Sequence, residues 1–166
     1  MKIMTDKEIR MTELRKIIAD AKKELESLNP YEFWREKSNK EFGEKYSEKY
    51  ILSMVPNLQE NHGAGHDMSG KHYKTIEVKS CRMIYDSKWT MNQLHPDKAD
   101  AYLFVWYNCE TGTQEICFIP TIDLLKICKL NPQHGEGCYT LGSTIKNKAA
   151  LKNYMVSSWE ELNERV

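Results

Sequence analysis

Three ionisable side chains that lie close together in the sequence could hold a divalent cation and act on a phosphate ester. Asp67 is separated from Glu77 and Lys79 by a turn-like Ser69-Gly70 pair and by a segment typical of a strand. Alternate side chains of a strand share one face, so Glu77 and Lys79 point the same way while Val78 points the opposite way. A hairpin at Ser69-Gly70 returns Asp67 toward Glu77. We therefore expect two carboxylates and one ammonium to meet at the end of a strand pair.

This combination is suited to metal-assisted hydrolysis of a phosphodiester. Two carboxylates at close range repel each other and raise each other's pKa, and a divalent cation relieves that repulsion. Oxygen ligands of this kind suit Mg²⁺, and the Val78 carbonyl is a natural extra ligand beside Asp67 and Glu77. The cation polarises the phosphate and lowers the pKa of a bound water. Lys79 can orient or deprotonate that water or stabilise the developing charge.

The elements before this hairpin are predicted to be helical. Residues 5–28 are rich in Lys, Glu, Ala and Leu, and their apolar side chains recur at helical spacing. Asn29-Pro30 ends this helix. A second helix is predicted over 31–54, with a candidate break at Ser38-Asn39 and an apolar stripe on one face. Pro56 ends the helical region.

The later elements are predicted to form a sheet with one short helix. Residues 73–81 alternate as a strand, 101–107 (AYLFVWY) suit a central strand, and a turn at Thr111-Gly112 leads to a strand over 114–119. Thr121 is expected to cap a helix over 122–128, and Ser158-x-x-Glu161 matches a capping box. The order predicts a single α/β (α+β) sandwich domain over 1–166, with a mixed central sheet flanked by helices. In it, 1–55 are helical and 60–130 form the catalytic core.

The spacing of Asp67, Glu77 and Lys79 resembles the PD-(D/E)xK signature of the restriction-endonuclease-like nucleases, and small type II restriction endonucleases in particular. The D-x9-E-x-K pattern is followed by Ser80, and the likeness covers about residues 60–120. The resemblance implies that Asp67 and Glu77 are metal ligands and that Lys79 is the catalytic lysine. His66 departs from the pattern, because many members have proline there.

Many members of that family also carry an acidic residue on the helix before the hairpin. The resemblance makes Glu44 the candidate, with Glu48 one turn later. The alternative is a solvated helical acid beside Lys45 and Lys49.

The segment after the catalytic strand is the expected DNA-reading element. Asn92 and Gln93 can pair with adenine, and Lys or His side chains such as His95 can reach guanine acceptors. Lys88, Lys98 and Arg82 are expected to contact phosphates, which position a protein on DNA without specifying sequence. The alternative is an ordinary helix start, with Thr90 as its cap and with Trp89 and Leu94 packed inward.

Composition and charge allow this function without requiring it. The chain has 24 basic and 24 acidic residues, yet residues 68–98 hold five lysines and one arginine against three acids. That local excess of positive charge favours binding to phosphate groups, although a charged face exposed to solvent is the plainer interpretation. No apolar stretch is long enough for a membrane span, and the charged start lacks the core of a secretory signal, so a cytoplasmic (intracellular) protein is expected.

The cysteines and histidines predict no structural metal site. The five cysteines are odd in number and form no CxxC pair, so neither a disulfide framework nor a zinc site is indicated, and Cys117 is expected to be a buried hydrophobe. His62 and His66 have helical ligand spacing, but the intervening Gly-Ala-Gly argues against a helix. His134 is expected at the surface.

These observations lead to the expectation of a Mg²⁺-dependent type II restriction endonuclease that cuts double-stranded DNA at a specific site. A two-fold homodimer through the N-terminal helices would supply one active site per strand. A cognate DNA methyltransferase is the expected genetic partner.

Three alternatives stay open at this point. The carboxylates and the lysine could belong to an exposed hairpin with a surface ion pair, worth about 0–1 kcal/mol. A nuclease of the same fold could act on branched or damaged DNA, as a Holliday-junction resolvase or a repair nuclease does. The fold could also persist in a catalytically silent DNA-binding domain.

Overall fold

A mixed six-stranded sheet forms the centre of the fold in the computed structural model, which describes residues 5–61, 66–83 and 88–166. The strands are β1 (Gln59–Glu60), β2 (Met68–Ser69), β3 (Ile76–Met83), β4 (Thr90–Leu94), β5 (Ala101–Asn108), β6 (Thr113–Pro120), β7 (Lys129–Leu130), β8 (Tyr139–Gly142) and β9 (Met155–Val156). The central sheet has the order β1-β2-β3-β5-β6-β9, and β4, β8 and β7 form a separate three-stranded sheet. Only the β3–β5 pairing in the described part of the central sheet is parallel. The mixed sheet confirms the predicted fold class.

The helices lie before, between and after these strands. They are α1 (Asp6–Leu28), α2 (Asn39–Glu41), α3 (Glu48–Met54), α4 (Thr121–Leu124), α5 (Ile145–Leu151) and α6 (Trp159–Arg165), with a π-helical segment (Phe42–Ser47) between α2 and α3 and 3-10 turns at Glu32–Trp34, Pro132–His134 and Lys152–Tyr154. A capping box of Thr5 and Glu8 begins α1, and none of the side chains of α1 is buried. Within the described ranges, every helix is too short or too polar to cross a lipid bilayer.

Strand β5 is the centre of the sheet and is buried from Ala101 to Tyr107. Its neighbours are β3 and β6, so both of its backbone edges are paired and both of its faces are covered. One face belongs to an apolar cluster with α3 and α6, which includes Ile51 and Leu162. The other face belongs to a second cluster with β4 and β8, which includes Leu94. An apolar strand such as AYLFVWY suits this double burial.

The predicted turn between β5 and β6 is present at Thr111-Gly112. Gly112 has φ +71°, and a Cβ on it would come within 3.2 Å of Asn29 Oδ1. The side-chain amide of Asn29 donates to the Cys109 carbonyl at 2.6 Å. Glycine is therefore required here both for the left-handed backbone and for the close approach of the chain that follows α1.

The predicted second helix over 31–54 is wrong in its first part. The helix begins at Asn39, where the Ser38 hydroxyl accepts a hydrogen bond from the backbone N–H of Glu41, so the candidate break is confirmed. Upstream of it the rings of Tyr31 and Trp34 pack on Tyr107 with centroid separations of 4.9 and 5.0 Å. This burial against the sheet overrides the local helical preference.

The bounds of two other elements and one helix cap differ from the prediction. The strand expected over 73–81 begins at Ile76, because Tyr73 lies in the connecting loop and packs edge-on against Phe118. The helix expected over 122–128 is only the short α4, and Thr121 does not cap it. The Thr121 hydroxyl instead donates to the Ala99 carbonyl at 2.5 Å, which ties α4 to the start of β5.

The expected capping box at the last helix is half confirmed. The Ser158 hydroxyl accepts from the backbone N–H of Glu161 at 3.2 Å. The Glu161 carboxylate accepts from the backbone N–H of Ser157, one residue earlier than the motif requires. The hydrogen bonds that the backbone N–H and the hydroxyl of Ser157 donate to Glu161 hold its pKa well below the usual value, at about 2.

Candidate active site

The β2–β3 hairpin places Asp67 beside β3. Met68 pairs with Ile76, and the backbone N–H of Asp67 donates to the Ile76 carbonyl at 3.1 Å. The Asp67 carboxylate then accepts a hydrogen bond from the backbone N–H of Val78 at 2.8 Å. The carboxylate thus caps the edge of β3 where β2 has ended, as the hairpin interpretation predicts.

The connection between the two strands is longer than the predicted Ser69-Gly70 turn. Ser69 is the last residue of β2, and the loop continues to Thr75. A Cβ on Gly70 would lie 2.8 Å from the backbone carbon of Val166, so only glycine lets α6 and the hairpin approach this closely. The backbone N–H of His72 donates to the Val166 carbonyl at 3.1 Å. The loop is therefore held by the residue that follows α6.

Glu77 and Lys79 lie on one face of β3 and form an ion pair. The Lys79 Nζ is 2.6 Å from the Glu77 Oε1, and the two side chains keep 26% and 17% of their exposure. Burial raises the pKa of Glu77, Lys79 opposes that rise, and Asp67 adds to it. This ion pair is therefore more buried than the exposed surface pair that the sequence left as an alternative. The negative charge of Asp67 also acts on Glu77.

Glu48, not Glu44, is the half-buried acid on the helix before the hairpin. Glu44 is exposed within the π-helical segment, whereas Glu48 begins α3. Burial raises the pKa of Glu48 to about 7, and the negative charges of Asp67, Glu44, Glu77 and Glu60 add to the rise.

The sequence placed both acids on one helical face and made Glu44 the candidate, with Glu48 one turn later. The π-helical segment turns the helix by a different angle per residue than an α-helix does, and such segments often occur at functional sites. The ranking of Glu44 and Glu48 depends on that change in register, which a regular helical pattern does not predict.

Hydrogen bonds on the opposite face of β3 connect this strand to the start of α3. The hydroxyls of Ser80 and Ser47 are 2.5 Å apart, and the Ser47 hydroxyl donates to the Tyr107 hydroxyl at 3.2 Å. Ser47 is fully buried and directly precedes Glu48. The hydrogen bonds therefore fix where α3 begins relative to the strand that carries Glu77.

Arg82 has a structural role rather than the expected phosphate contact. Its Nη1 donates to the carbonyls of Trp34 and Lys37 at 2.7 and 2.6 Å, and its Nη2 donates to Asn39 Oδ1 at 2.6 Å. Its guanidinium also stacks on the Phe42 ring at 4.9 Å. Arg82 lies on the helix-facing side of β3, and the carbonyls of the 34–37 turn occupy its donors in place of a phosphate.

The oxygen ligands gathered here fit Mg²⁺ in chemistry. Asp67 and Glu77 are carboxylates, and the Val78 carbonyl points to the same strand edge as the Val78 N–H that Asp67 accepts from. The charge of Asp67 raises the pKa of both Glu48 and Glu77, which is the repulsion that a bound cation relieves. Within the described ranges, no three His, Cys, Asp or Glu side chains are arranged around one common ion position.

The expected DNA-reading segment is a strand, so the alternative of a helix starting at Thr90 is wrong. Asn92 and Gln93 are exposed at an irregularity in the β4–β8 pairing, where Gln93 has φ +55°. Asn92 Oδ1 accepts from the Thr140 hydroxyl at 2.5 Å. The inward packing of Trp89 and Leu94 that was expected for a helix holds for the strand as well.

The other basic residues proposed to contact DNA differ in their exposure to solvent. His95 Nε2 is 3.3 Å from the Cys138 Sγ, and the charge of His95 lowers the pKa of Glu77. Lys98 is exposed on the loop before β5. Lys88 is exposed and lines a cavity of about 460 Å³ with Thr90 and Ser143.

Most of the predictions made for cysteines and histidines concern residues that the structure describes, and one involves a residue that it does not. All five cysteines are free thiols, and burial of Cys117 raises its pKa to about 12. His134 is exposed, as expected. His66 contacts the Asn61 side chain at 2.5 Å, and His62 lies outside the described residues, so the rejected zinc pair is not tested.

Comparison with known proteins identifies no relative: no family model matches the sequence, and no curated protein matches it. The functional argument therefore depends on the site itself.

Proposed function

We propose that this chain is a Mg²⁺-dependent endonuclease that hydrolyses phosphodiester bonds of double-stranded DNA at a specific sequence, as type II restriction endonucleases do. One observation carries the proposal: the Asp67 carboxylate accepts from the Val78 N–H between Glu77 and Lys79, which form an ion pair, and burial together with the charges of Asp67 and Glu77 raises the pKa of Glu48. Structural ion pairs seldom gather several partly buried acids whose charges oppose one another, whereas perturbed carboxylates are typical of functional sites.

Each side chain has a distinct proposed role. Asp67, Glu77 and the Val78 carbonyl hold Mg²⁺, which when bound polarises the scissile phosphate and lowers the pKa of a water. The Lys79 Nζ donates to Glu77 at 2.6 Å and so places a positive charge where the negative charge of the phosphate develops. Glu48, with a pKa of about 7, can accept a proton at neutral pH.

The N-terminal helix supports the proposed homodimer. Its apolar residues alternate at spacings of three and four, the pattern of a coiled-coil seam: Met11, Leu14, Ile18, Ala21, Leu25 and Leu28. All of them are exposed in the single chain. A second copy of α1 would cover this seam, and a two-fold pair of chains would place one active site at each DNA strand.

The proposed DNA contacts are those of β4 and its flanks. Asn92 and Gln93 are exposed, as side chains that reach base edges must be, and the effect of His95 on the pKa of Glu77 supports a role for β4 on the face that carries Glu77. Lys88 and Lys98 remain the proposed phosphate contacts. A cognate DNA methyltransferase remains the proposed genetic partner.

The test is incubation of the purified protein with unmethylated phage DNA, with Mg²⁺ or with EDTA, analysed on a gel. Discrete bands that require Mg²⁺ and are lost in Lys79→Ala, but kept in the control Lys74→Ala, are the expected result. Lys74 is an exposed lysine of the β2–β3 loop. A smear would indicate a non-specific nuclease, and cleavage of branched DNA alone would indicate a resolvase or repair nuclease. If no substrate is cleaved, the proposal that the chain is an enzyme is refuted, and a catalytically silent DNA-binding domain is favoured.

A further inference from the structure

A second cavity lies on the face of the sheet that carries Glu77 and Lys79. It has a volume of about 310 Å³, and its apolar wall is formed by Trp89, Trp106, Leu151 and Met155. The two indole rings are 4.8 Å apart between centroids and inclined at 42°. This volume lies at the lower end of the range for small-molecule pockets, and an aromatic wall favours a planar ligand.

Trp106 contributes a hydrogen-bond donor that nothing in the described part of the chain uses. Its side chain is 2% exposed, and its Nε1 is buried without a partner. Buried N–H groups in proteins almost always have an acceptor. An acceptor atom on the edge of a bound ligand could take this N–H once the Trp106 ring shifts slightly toward the cavity.

The charged residues at the rim are two lysines and one glutamate. Lys148 lies on α5, Lys152 follows it, and Glu115 lies on β6 opposite Trp106. All three are exposed, so the mouth of the cavity carries a net positive charge. A rim of this kind selects a ligand with an anionic group outside its planar body.

The cavity is connected to the active site by the register of the sheet. Glu77, Lys79 and Cys81 alternate along one face of β3 and pair with Tyr102, Phe104 and Trp106 of β5. Glu77 and Trp106 therefore lie on the same face, four residues apart along the parallel strands. At about 3.3 Å per residue this is a separation of about 13 Å along the strands.

We propose that this cavity binds one nucleotide unit. The base lies against Trp89, a small shift of the Trp106 ring lets an acceptor on the edge of the base take its Nε1–H, and Lys148 and Lys152 contact the phosphate. Bases have flat π-faces for stacking and carbonyl or ring-nitrogen acceptors on their edges. The same chemistry is offered by a free nucleotide and by an unpaired nucleotide of a DNA strand. Only the second source rests on the proposed nuclease function.

Isothermal titration calorimetry of the full chain with deoxyadenosine monophosphate tests the site. We expect saturable binding that Lys152→Glu weakens at least tenfold and that Lys146→Glu leaves unchanged. Lys146 is the matched control, because it is exposed on α5 and does not line the cavity. Trp106→Phe, which keeps most of the ring and removes the N–H, is expected to weaken binding in a protein whose circular dichroism spectrum is unchanged.

Two further arms identify the source of the nucleotide. If the free monophosphate does not bind, a duplex with one extrahelical nucleotide should bind more tightly than the fully paired duplex, with the same Lys152→Glu dependence. The proposal is overturned if inorganic phosphate binds as tightly as the nucleotide, if Lys152→Glu and Lys146→Glu behave alike, or if neither nucleotide source binds. Lys79→Ala is expected to bind normally, so a failed nuclease proposal and a failed cavity proposal give different results.

Discussion

Replacing Glu48 with glutamine is expected to stabilise the metal-free protein at pH 8. In the folded chain the pKa of Glu48 is about 7, against 4.5 for the ordinary side chain. The folded state therefore favours the protonated form, and ionising Glu48 destabilises it as the pH rises from 4.5 through 7. Below pH 4.5 both folded and unfolded chains are protonated and the effect vanishes. Above pH 7 it is complete.

The size of the effect follows from the same pKa. At about 1.4 kcal/mol per pKa unit the difference corresponds to about 3 kcal/mol. Because Glu48 is only half-buried, water screens part of this, and we expect about 1–2 kcal/mol. Glutamine resembles the protonated acid in shape and hydrogen bonding, so Glu48→Gln should recover that amount at pH 8 and change little at pH 4.

Urea unfolding in EDTA at the two pH values measures this directly. Glu110→Gln is the matched control, because Glu110 is an exposed acid in the turn between β5 and β6, at the end of those strands away from Glu77. The control should change the free energy of unfolding by no more than a few tenths of a kcal/mol. Unchanged or lower stability of Glu48→Gln at pH 8 would refute the electrostatic argument. Added Mg²⁺ should stabilise the natural protein more than the variant.

Three other outcomes are expected. Lys79→Ala should lower cleavage by about 10²–10³-fold with DNA affinity retained, and undiminished turnover would remove its assignment. Asn92→Ala should weaken specific binding more than non-specific binding in a gel-shift assay, and equal losses would make Asn92 part of the scaffold. Arg82→Met should lower the free energy of unfolding by about 1–3 kcal/mol in urea, because it removes the charged hydrogen bonds to the part-buried carbonyls of Trp34 and Lys37. Lys98→Met, at an exposed lysine, is the control for Arg82→Met. An equally small loss of unfolding free energy in both variants would contradict the structural role of Arg82.

The hairpin and the central strand were the parts of the fold that the sequence predicted best. The alternation of Glu77, Val78 and Lys79 determines which side chains share a face in any strand, whatever packs on it. The seven apolar residues of β5 are compatible only with burial on both faces. These features depend on neighbouring residues of one segment, so they can be inferred without knowing the rest of the chain.

The residues that were misassigned depend on contacts distant in sequence. Arg82 lies 45 residues from the Lys37 carbonyl that it binds, and no local pattern distinguishes it from a phosphate-binding arginine. Thr121 looks like a helix cap, but its hydroxyl is taken by the Ala99 carbonyl. In both cases a backbone carbonyl elsewhere in the fold accepts a hydrogen bond from the side chain, so the donor is no longer available for the predicted role.

The sequence by itself determined the chemical types at the candidate site and the face of β3 on which Glu77 and Lys79 lie. Only the tertiary structure decided that Asp67 bonds the Val78 N–H and that Glu48 is the acid whose pKa rises to about 7. The physical reason is that side-chain periodicity is a property of one strand. Burial and the field of other charges, by contrast, are sums over every element that the fold brings near.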